Sequence, residues 1–465
     1  MTAAWVLAQR ERPGTVLEAD GAVGGIAKTV EFEGYRFDLG GHRFYTKLAP
    51  VRRLWEEMLG PELLTRPRLS RIYYRNRFFN YPLQARDVFR GLGVLESVRC
   101  GLSYFYWRRR WRDVQPQTFE EWVVRRFGRR LYDAFFRSYT EKVWGIPGSE
   151  IEAEWAAQRI QEFSLAHAIF GILGLKRGSP PTLIEEFLYP RLGPGQMWEE
   201  FREWVQERDI PVLLNHRCVG IRHEGGRAES VVVRTNGSEH EHAVEGVLSS
   251  IPLPELVECL DAPAPPKVRE AATRLRYRNL CVVALMTRER EPFPDNWIYL
   301  HDPRTQAGRV QNFGAWSPDL VQHGTGCLGV EYFCFDDDEI WDMPDDQAVD
   351  MAVRDLEAIG LLQASKVFKG VKVRVPRAYP MYDSGYREAV AQIRGYLEHF
   401  ENLKTFGRNG LHRYNNQDHS MWTAILATLN HVDGASHDVW SVNTKAEYLE
   451  EGPLAERLVD LDFAL

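Results

Sequence analysis

Apolar and polar positions divide the chain into stretches of different period. Thr15-Val16-Leu17 is a short apolar, β-branched run ending in an acid, Glu18, the pattern of a buried parallel strand. Before it, Thr2–Gln9 has helical spacing and is stopped by Arg12-Pro13-Gly14. Val30–Phe37, with Gly34-Tyr35 at its middle, predicts a β-hairpin. Val51–Leu59 predicts a helix. Arg71–Phe79 alternates as one strand and is closed by Tyr81-Pro82-Leu83-Gln84. From about Asp87 to Glu186, Trp, Phe and Leu recur at three- and four-residue spacing, which predicts a helical block. Pro190-Arg191-Leu192-Gly193-Pro194-Gly195 breaks the chain. A helix, Met197–Arg208, and the short strands Pro211–Leu214, Val219–Ile221 and Ser230–Arg234 follow. Val247–Pro252 is a further buried strand. Strands interrupted by a helix continue to about Val375, and Gly407–Met421 leads into an apolar helix through about Asn430.

This order predicts an α/β fold in three parts. The first is a Rossmann-like, doubly wound dinucleotide domain that is discontinuous, built from 1–70, 190–255 and 376–465. The second is a helical domain over 86–189. The third is a mixed β-sheet substrate domain from 71–85 and 256–375. The discontinuity follows because the N-terminal piece alone has too few strands to close a sheet. The Gly-rich turn that normally precedes the strand's terminal acid is missing ahead of Thr15. A truncated chain or a misassigned start is therefore expected, with the missing first strand leaving a slot in the middle of the sheet. A non-catalytic relic is the competing reading.

Composition narrows the classes. The chain has 465 residues, 44 % of them hydrophobic, which suits two or three cored domains. A net charge of -7 gives no general basic field for nucleic acid. Cys100, Cys218, Cys259, Cys281, Cys327 and Cys334 form no CxxC pair and no metal spacing with histidine, and scattered cysteines suit a reducing cytoplasm. Met1–Gln9 lacks the form of a signal peptide, and the longest apolar run, Leu165 to Leu175, is too short to cross a membrane and reads as a buried helix. Tyr104–Arg112 mixes aromatics with arginines. An amphipathic surface helix with its aromatics facing the core is preferred there over a lipid-binding segment.

The candidate chemistry begins with Glu18, placed to hold ribose hydroxyls at a strand end, and with Gly24-Gly25, whose backbone can approach a pyrophosphate. Gly40-Gly41-His42 puts a histidine in a glycine loop, favouring a ligand-facing position. Gly407-Arg408-Asn409-Gly410 runs through Asn416-Gln417-Asp418-His419-Ser420 into the helix. Such a turn aims unpaired N–H groups at a phosphate or a flavin edge, with Asp418 or Ser420 as the expected cap.

EADGAVGG, DLGGHRF, YTEKVWGIP, AEWAAQRI, YPRLGPGQMWEEF and GRNGLHRYNNQDHSM resemble the FAD-containing amine oxidase and protoporphyrinogen oxidase superfamily. Within it, the chain is similar to the UDP-galactopyranose mutases from Met1 to about Val432. The resemblance implies FAD, held by Glu18, Gly24, Gly25, Gly40, Gly41, Val219, Gly407, Arg408, Asn416, Gln417, Asp418 and Ser420. It implies that Arg159 and Arg309 clamp a UDP diphosphate, that Tyr299, Tyr379 and Tyr414 touch it, and that Tyr81, Leu83 and Gln84 form the uracil pocket. His42 would lie by the flavin ring, and His42, Arg309 and Arg159 would be the catalytic set. Arg43 after that histidine, and GRNGLHRYNN before the helix, depart from the mutase pattern.

Two activities follow as expectations. One is a mutase interconverting pyranose and furanose forms of a UDP-sugar through reduced flavin, with NAD(P)H a candidate reductant. The other is a flavin oxidoreductase on a nucleotide-linked or other small substrate. The expected partner is that small molecule, with no nucleic acid, no transmembrane segment and a homo-oligomer left open.

Overall fold

The computed structural model describes residues 1–81, 87, 91–112, 114–155, 186–290 and 292–444. Helix α1 (Thr2–Gln9) buries Trp5 and Val6. It leads to β1 (Val16–Leu17). β2 (Thr29–Phe32) and β3 (Tyr35–Asp38) form the expected hairpin. Its turn residues Glu33 and Gly34 both have positive φ, which matches the twist of paired strands. Helix α2 (Ala49–Leu59) follows, with Pro50 in its first turn and Leu54 and Trp55 buried.

β4 (Leu63–Pro67), β5 (Ser70–Tyr74) and β6 (Arg77–Asn80) come next. The single strand expected over Arg71–Phe79 is instead the hairpin β5–β6. Arg75 and Asn76 both adopt positive φ between them. Alternation alone misses this turn, because it carries no glycine and the apolar pattern runs on through it.

The helical block contains α3 (Val94–Arg110), α4 (Phe119–Phe127) and α5 (Arg137–Trp144). Thr118 and Glu121 close a capping box at α4. The block does not stay helical to its expected end, since β7 (Glu186–Pro190) pairs antiparallel with β4. The apolar run Leu165–Leu175 lies outside the described residues.

Helix α6 (Gly195–Gln206) precedes β8 (Val212–Leu213), β9 (Arg217–Glu224), β10 (Arg227–Thr235), β11 (Ser238–Ala243) and β12 (Val247–Ser249). Then come α7 (Leu253–Cys259), β13 (Leu260–Asp261) and α8 (Pro266–Arg274). The long strands are β14 (Tyr277–Thr287), β15 (Trp297–Leu300), β16 (Arg309–Asn312), β17 (Gly326–Cys334) and β18 (Val367–Pro380). With β5 and β6 they make one seven-stranded sheet, ordered β18-β14-β17-β16-β15-β5-β6. Helix α9 (Asp345–Ala358) packs on it, and α10 (Tyr386–Leu397), β19 (Leu403–Thr405) and α11 (Gln417–Val432) complete the described chain.

The fold is α/β. Its parallel pairs are separate ladders, β1 with β8 and β12 with β19, and no hydrogen-bonded strand joins them among the described residues. Trp5, Trp55, Trp198 and Trp422 form the core beside these ladders. A second core, around Tyr132, Trp144 and Trp316, lies between the helical block and the large sheet. All six cysteines are unpaired. Among the described residues, no helix is long and apolar enough to cross a membrane.

Candidate active site

β1, the turns that follow β12 and β19, the helical block and the large sheet face one cavity of about 780 Å³. At one end stand Val16, Leu17 and Glu18, where β1 stops, and the turn Gly24-Gly25. Gly24 has φ +103°, and a Cβ there would sit 2.6 Å from Cδ1 of Trp198. Only glycine fits both the left-handed backbone and the approach of α6. Glu18 Oε1 accepts from the Asp20 N–H at 2.9 Å, and Asp20 pairs with Lys28.

The loop after β3 carries Gly40, Gly41 and His42 into the cavity. Asp38 beneath it is fully buried, and its Oδ2 accepts from the Tyr189 hydroxyl at 2.9 Å. Burial pushes the Asp38 carboxyl well above its ordinary range, and nearby Glu331 adds to this. His42 is pushed down to about 3, first by burial and then by Arg408 and Arg309. It is therefore a neutral imidazole at ordinary pH, and its buried Nδ1 has no hydrogen-bond partner among the described residues. Its carbonyl accepts from Gln417 Nε2 at 3.3 Å, tying the loop to α11.

The large sheet supplies Arg309. It sits on β16 directly opposite Glu331 of β17. Glu331 Oε2 accepts from Arg309 Nε at 2.8 Å and Nη2 at 2.6 Å, while Oε1 accepts from Gln311 Nε2 at 2.8 Å. Burial is the strongest single influence and opposes the guanidinium charge, but Glu331 together with Tyr379, Tyr139 and Tyr299 outweighs it and holds the group's pKa above its ordinary value. Tyr299, Tyr379 and Tyr139 line the same wall. The Tyr139 and Tyr299 rings meet edge to face at 5.5 Å.

The C-terminal segment closes the cavity. Arg408 donates from Nε and Nη2 to the Ala378 carbonyl and from Nη1 to that of Asn415. Its guanidinium lies 4.0 Å from the Tyr414 ring centroid. It makes no carboxylate pair among the described residues. Helix α11 starts earlier than the sequence pattern suggests. Its cap is Asn416, reciprocated by His419, rather than Asp418 or Ser420. Asn416, Gln417 and Ser420 line the cavity.

Most of the expected residues thus converge, Tyr81 and Gly407 among them. Val219 does not. It lies on β9 at a bulge opposite Val232/Val233, away from the cavity lining. Asp418 does not either. Asn416, Gln417, His419, Ser420, Met421 and Ala424 all line the cavity, and Asp418 among them does not. Leu83, Gln84 and Arg159 lie outside the described residues. Sequence reasoning missed Glu331, although a lone acid in the buried run Gly326–Cys334 is a signal. It also missed Tyr139, Trp316 and Gln311, for which spacing carries none. Among the described lining residues, Arg43, Arg68, Arg309 and Arg408 face a single carboxylate, Glu18.

An acid-tipped strand, a glycine turn and a helix N-terminus around one deep cavity define a dinucleotide-binding α/β enzyme fold. The chain belongs to the flavin containing amine oxidoreductase family, whose pattern matches residues 1–387. Its fold is similar to that of a reduced UDP-galactopyranose mutase, with a TM-score of 0.82 and 19% identity, covering 95% of this chain and 93% of that one. It is also similar to a putrescine oxidase, with a TM-score of 0.61 and 14% identity, covering 93% of this chain and 96% of the other. At these identities the likeness concerns the fold alone. A Klebsiella pneumoniae protein described as a probable UDP-galactopyranose mutase is 55% identical over 40 residues. That match spans 9% of this chain and 10% of that protein.

Proposed function

We propose that this chain is an FAD enzyme that interconverts pyranose and furanose forms of a UDP-sugar. The observation that carries the reading is that Arg309 and Arg408, with Tyr299, Tyr379 and Tyr414, line the cavity that also holds His42 and the glycine turn. The lining suits FAD. The positive-φ turn Gly24-Gly25 leaves backbone room for a pyrophosphate, and Glu18 is placed for ribose hydroxyls. The orphaned Nδ1 of His42 and the first turn of α11 offer polar groups to a flavin ring. Bound and reduced, FAD supplies a nucleophile suited to the anomeric carbon of the sugar.

The chain's own residues position the rest. Arg309, held in place by Glu331 on the neighbouring strand, offers its guanidinium to the diphosphate. The tyrosine hydroxyls donate to phosphate oxygens, and Arg408 adds a second positive charge. This keeps UDP in place while it is detached from the sugar. Arg159 would complete the clamp, and Tyr81 with Leu83 and Gln84 would hold the uracil. His42 stays neutral and acts as a hydrogen-bond partner, not a charge. The family description and the putrescine oxidase likeness support a second reading, substrate oxidation in the same cavity.

One experiment separates the two. The purified chain is examined for a bound-flavin spectrum, then given UDP-galactofuranose with and without dithionite, with products resolved by chromatography and oxygen uptake recorded. Ring interconversion only after reduction, with no net oxidation, is the expected result. Oxygen uptake with substrate and no ring interconversion favours the oxidase, and flavin-free protein overturns both.

A further inference from the structure

Helix α3 has two apolar faces. The inner one carries Cys100 and Tyr104, both buried, with Trp107 and Trp111 packed on the same core. This face is seated tightly: a Cβ on Gly128 would lie 2.6 Å from the Tyr104 nitrogen. The outer face carries Val94, Leu95, Val98, Leu102, Phe105 and Tyr106, each between 53% and 67% exposed. Val94, Val98, Leu102 and Phe105 recur at helical spacing, so they form one stripe opposite the core. The segment Tyr104–Arg112 thus divides its aromatics between core and solvent, where the sequence pattern placed them against the core.

The stripe ends in charge. Residues 94–112 hold Arg99, Arg108, Arg109, Arg110 and Arg112 against one acid, Glu96, in a chain of net charge -7. Glu96 is engaged by Arg99 and Arg130. Arg109, Arg110 and Arg112 are exposed and make no ion pair among the described residues. Positive charge is therefore concentrated where the apolar stripe is, against the sign of the whole molecule.

We propose that α3 is an interfacial membrane-docking helix that lays its outer stripe into an anionic bilayer surface. An apolar stripe with aromatic residues inserts at the headgroup boundary, and clustered arginines add attraction to anionic lipid. The helix lies on the surface, since no described helix can span a bilayer. A second copy of the chain fits this face less well, because two like-charged arginine clusters would meet across a symmetric contact.

The test is flotation of the full chain with vesicles of phosphatidylcholine containing about 30 mole per cent phosphatidylglycerol, whose negative surface attracts basic segments, and with phosphatidylcholine alone. The chain is expected to float with the anionic vesicles at least tenfold better than with neutral ones. L102E/F105E is expected to abolish flotation, and R109E/R110E to weaken it by about tenfold or more. All four positions are exposed, so thermal unfolding is expected to match the parent. If one variant misfolds, the other decides. Raised salt gives an independent reading, since it must weaken the binding. Absence of flotation with anionic vesicles overturns the proposal, as does flotation unchanged by either folded variant. A concentration-dependent dimer lost in L102E/F105E, without vesicle binding, assigns the face to a second copy instead.

Discussion

The Arg309–Glu331 pair offers the sharpest energetic test. Glu331 has no exposed surface, and the Arg309 side chain is 16% exposed. The carboxylate takes two bonds from Arg309 and one from Gln311, so both its oxygens are engaged. Removing one partner of such a buried pair leaves the other charge without compensation, at a cost of about 3–5 kcal/mol. Replacing both by uncharged groups of similar size is close to neutral. Glu331→Gln and Arg309→Met are each expected to lose about 3 kcal/mol. The double variant is expected to lose much less than the sum, giving a coupling of about 2 kcal/mol or more. Urea unfolding followed by tryptophan fluorescence measures all four proteins of the cycle. Additive losses, within about 0.5 kcal/mol, would refute the reasoning. UDP affinity is a separate readout: it is expected to fall in Arg309→Met and in the double variant, because the cation itself is gone.

Three further outcomes are expected. His42 and His412 are held low, near 3 and 4, mainly by burial. The stability they contribute is present above the unfolded value of 6.5 and is lost as pH falls towards those folded values. Melting temperature should therefore drop below pH 6.5, and His42→Gln should flatten that drop; parallel curves for the two proteins would count against it. Gly24→Ala puts a methyl 2.6 Å from Trp198 at φ +103°. It should cost about 1–3 kcal/mol and lower the flavin bound per chain, read by absorbance. Asn416→Ala removes the cap of α11 at about 1 kcal/mol, with Asn416→Asp retaining most of it, as measured by urea unfolding.

The elements with a strong local signal were legible from the residues alone. Trp5 and Val6 at helical spacing, the Glu33-Gly34 turn and the acid-tipped β1 all follow from short-range sterics and periodicity. So do the glycines, since φ +103° at Gly24 restricts the residue type whatever surrounds it. The Arg75-Asn76 turn was hidden, because its positive φ falls on residues that do not demand it. The sequence also pointed to part of the cavity's lining, through Glu18, His42, Arg309, Arg408 and the tyrosines, by resemblance and residue type. Tertiary structure alone decided which of these meet. Pairing between β16 and β17 puts Glu331 against Arg309 across 22 positions of sequence. The tertiary structure leaves Asp418 buried off the lining while Gln417, His419 and Ser420 stay on it. It also decided that α3 shows half its aromatics to solvent. Both helix faces are apolar, so periodicity alone cannot say which one the core takes; only the position of Gly128 and the neighbouring helices settles it.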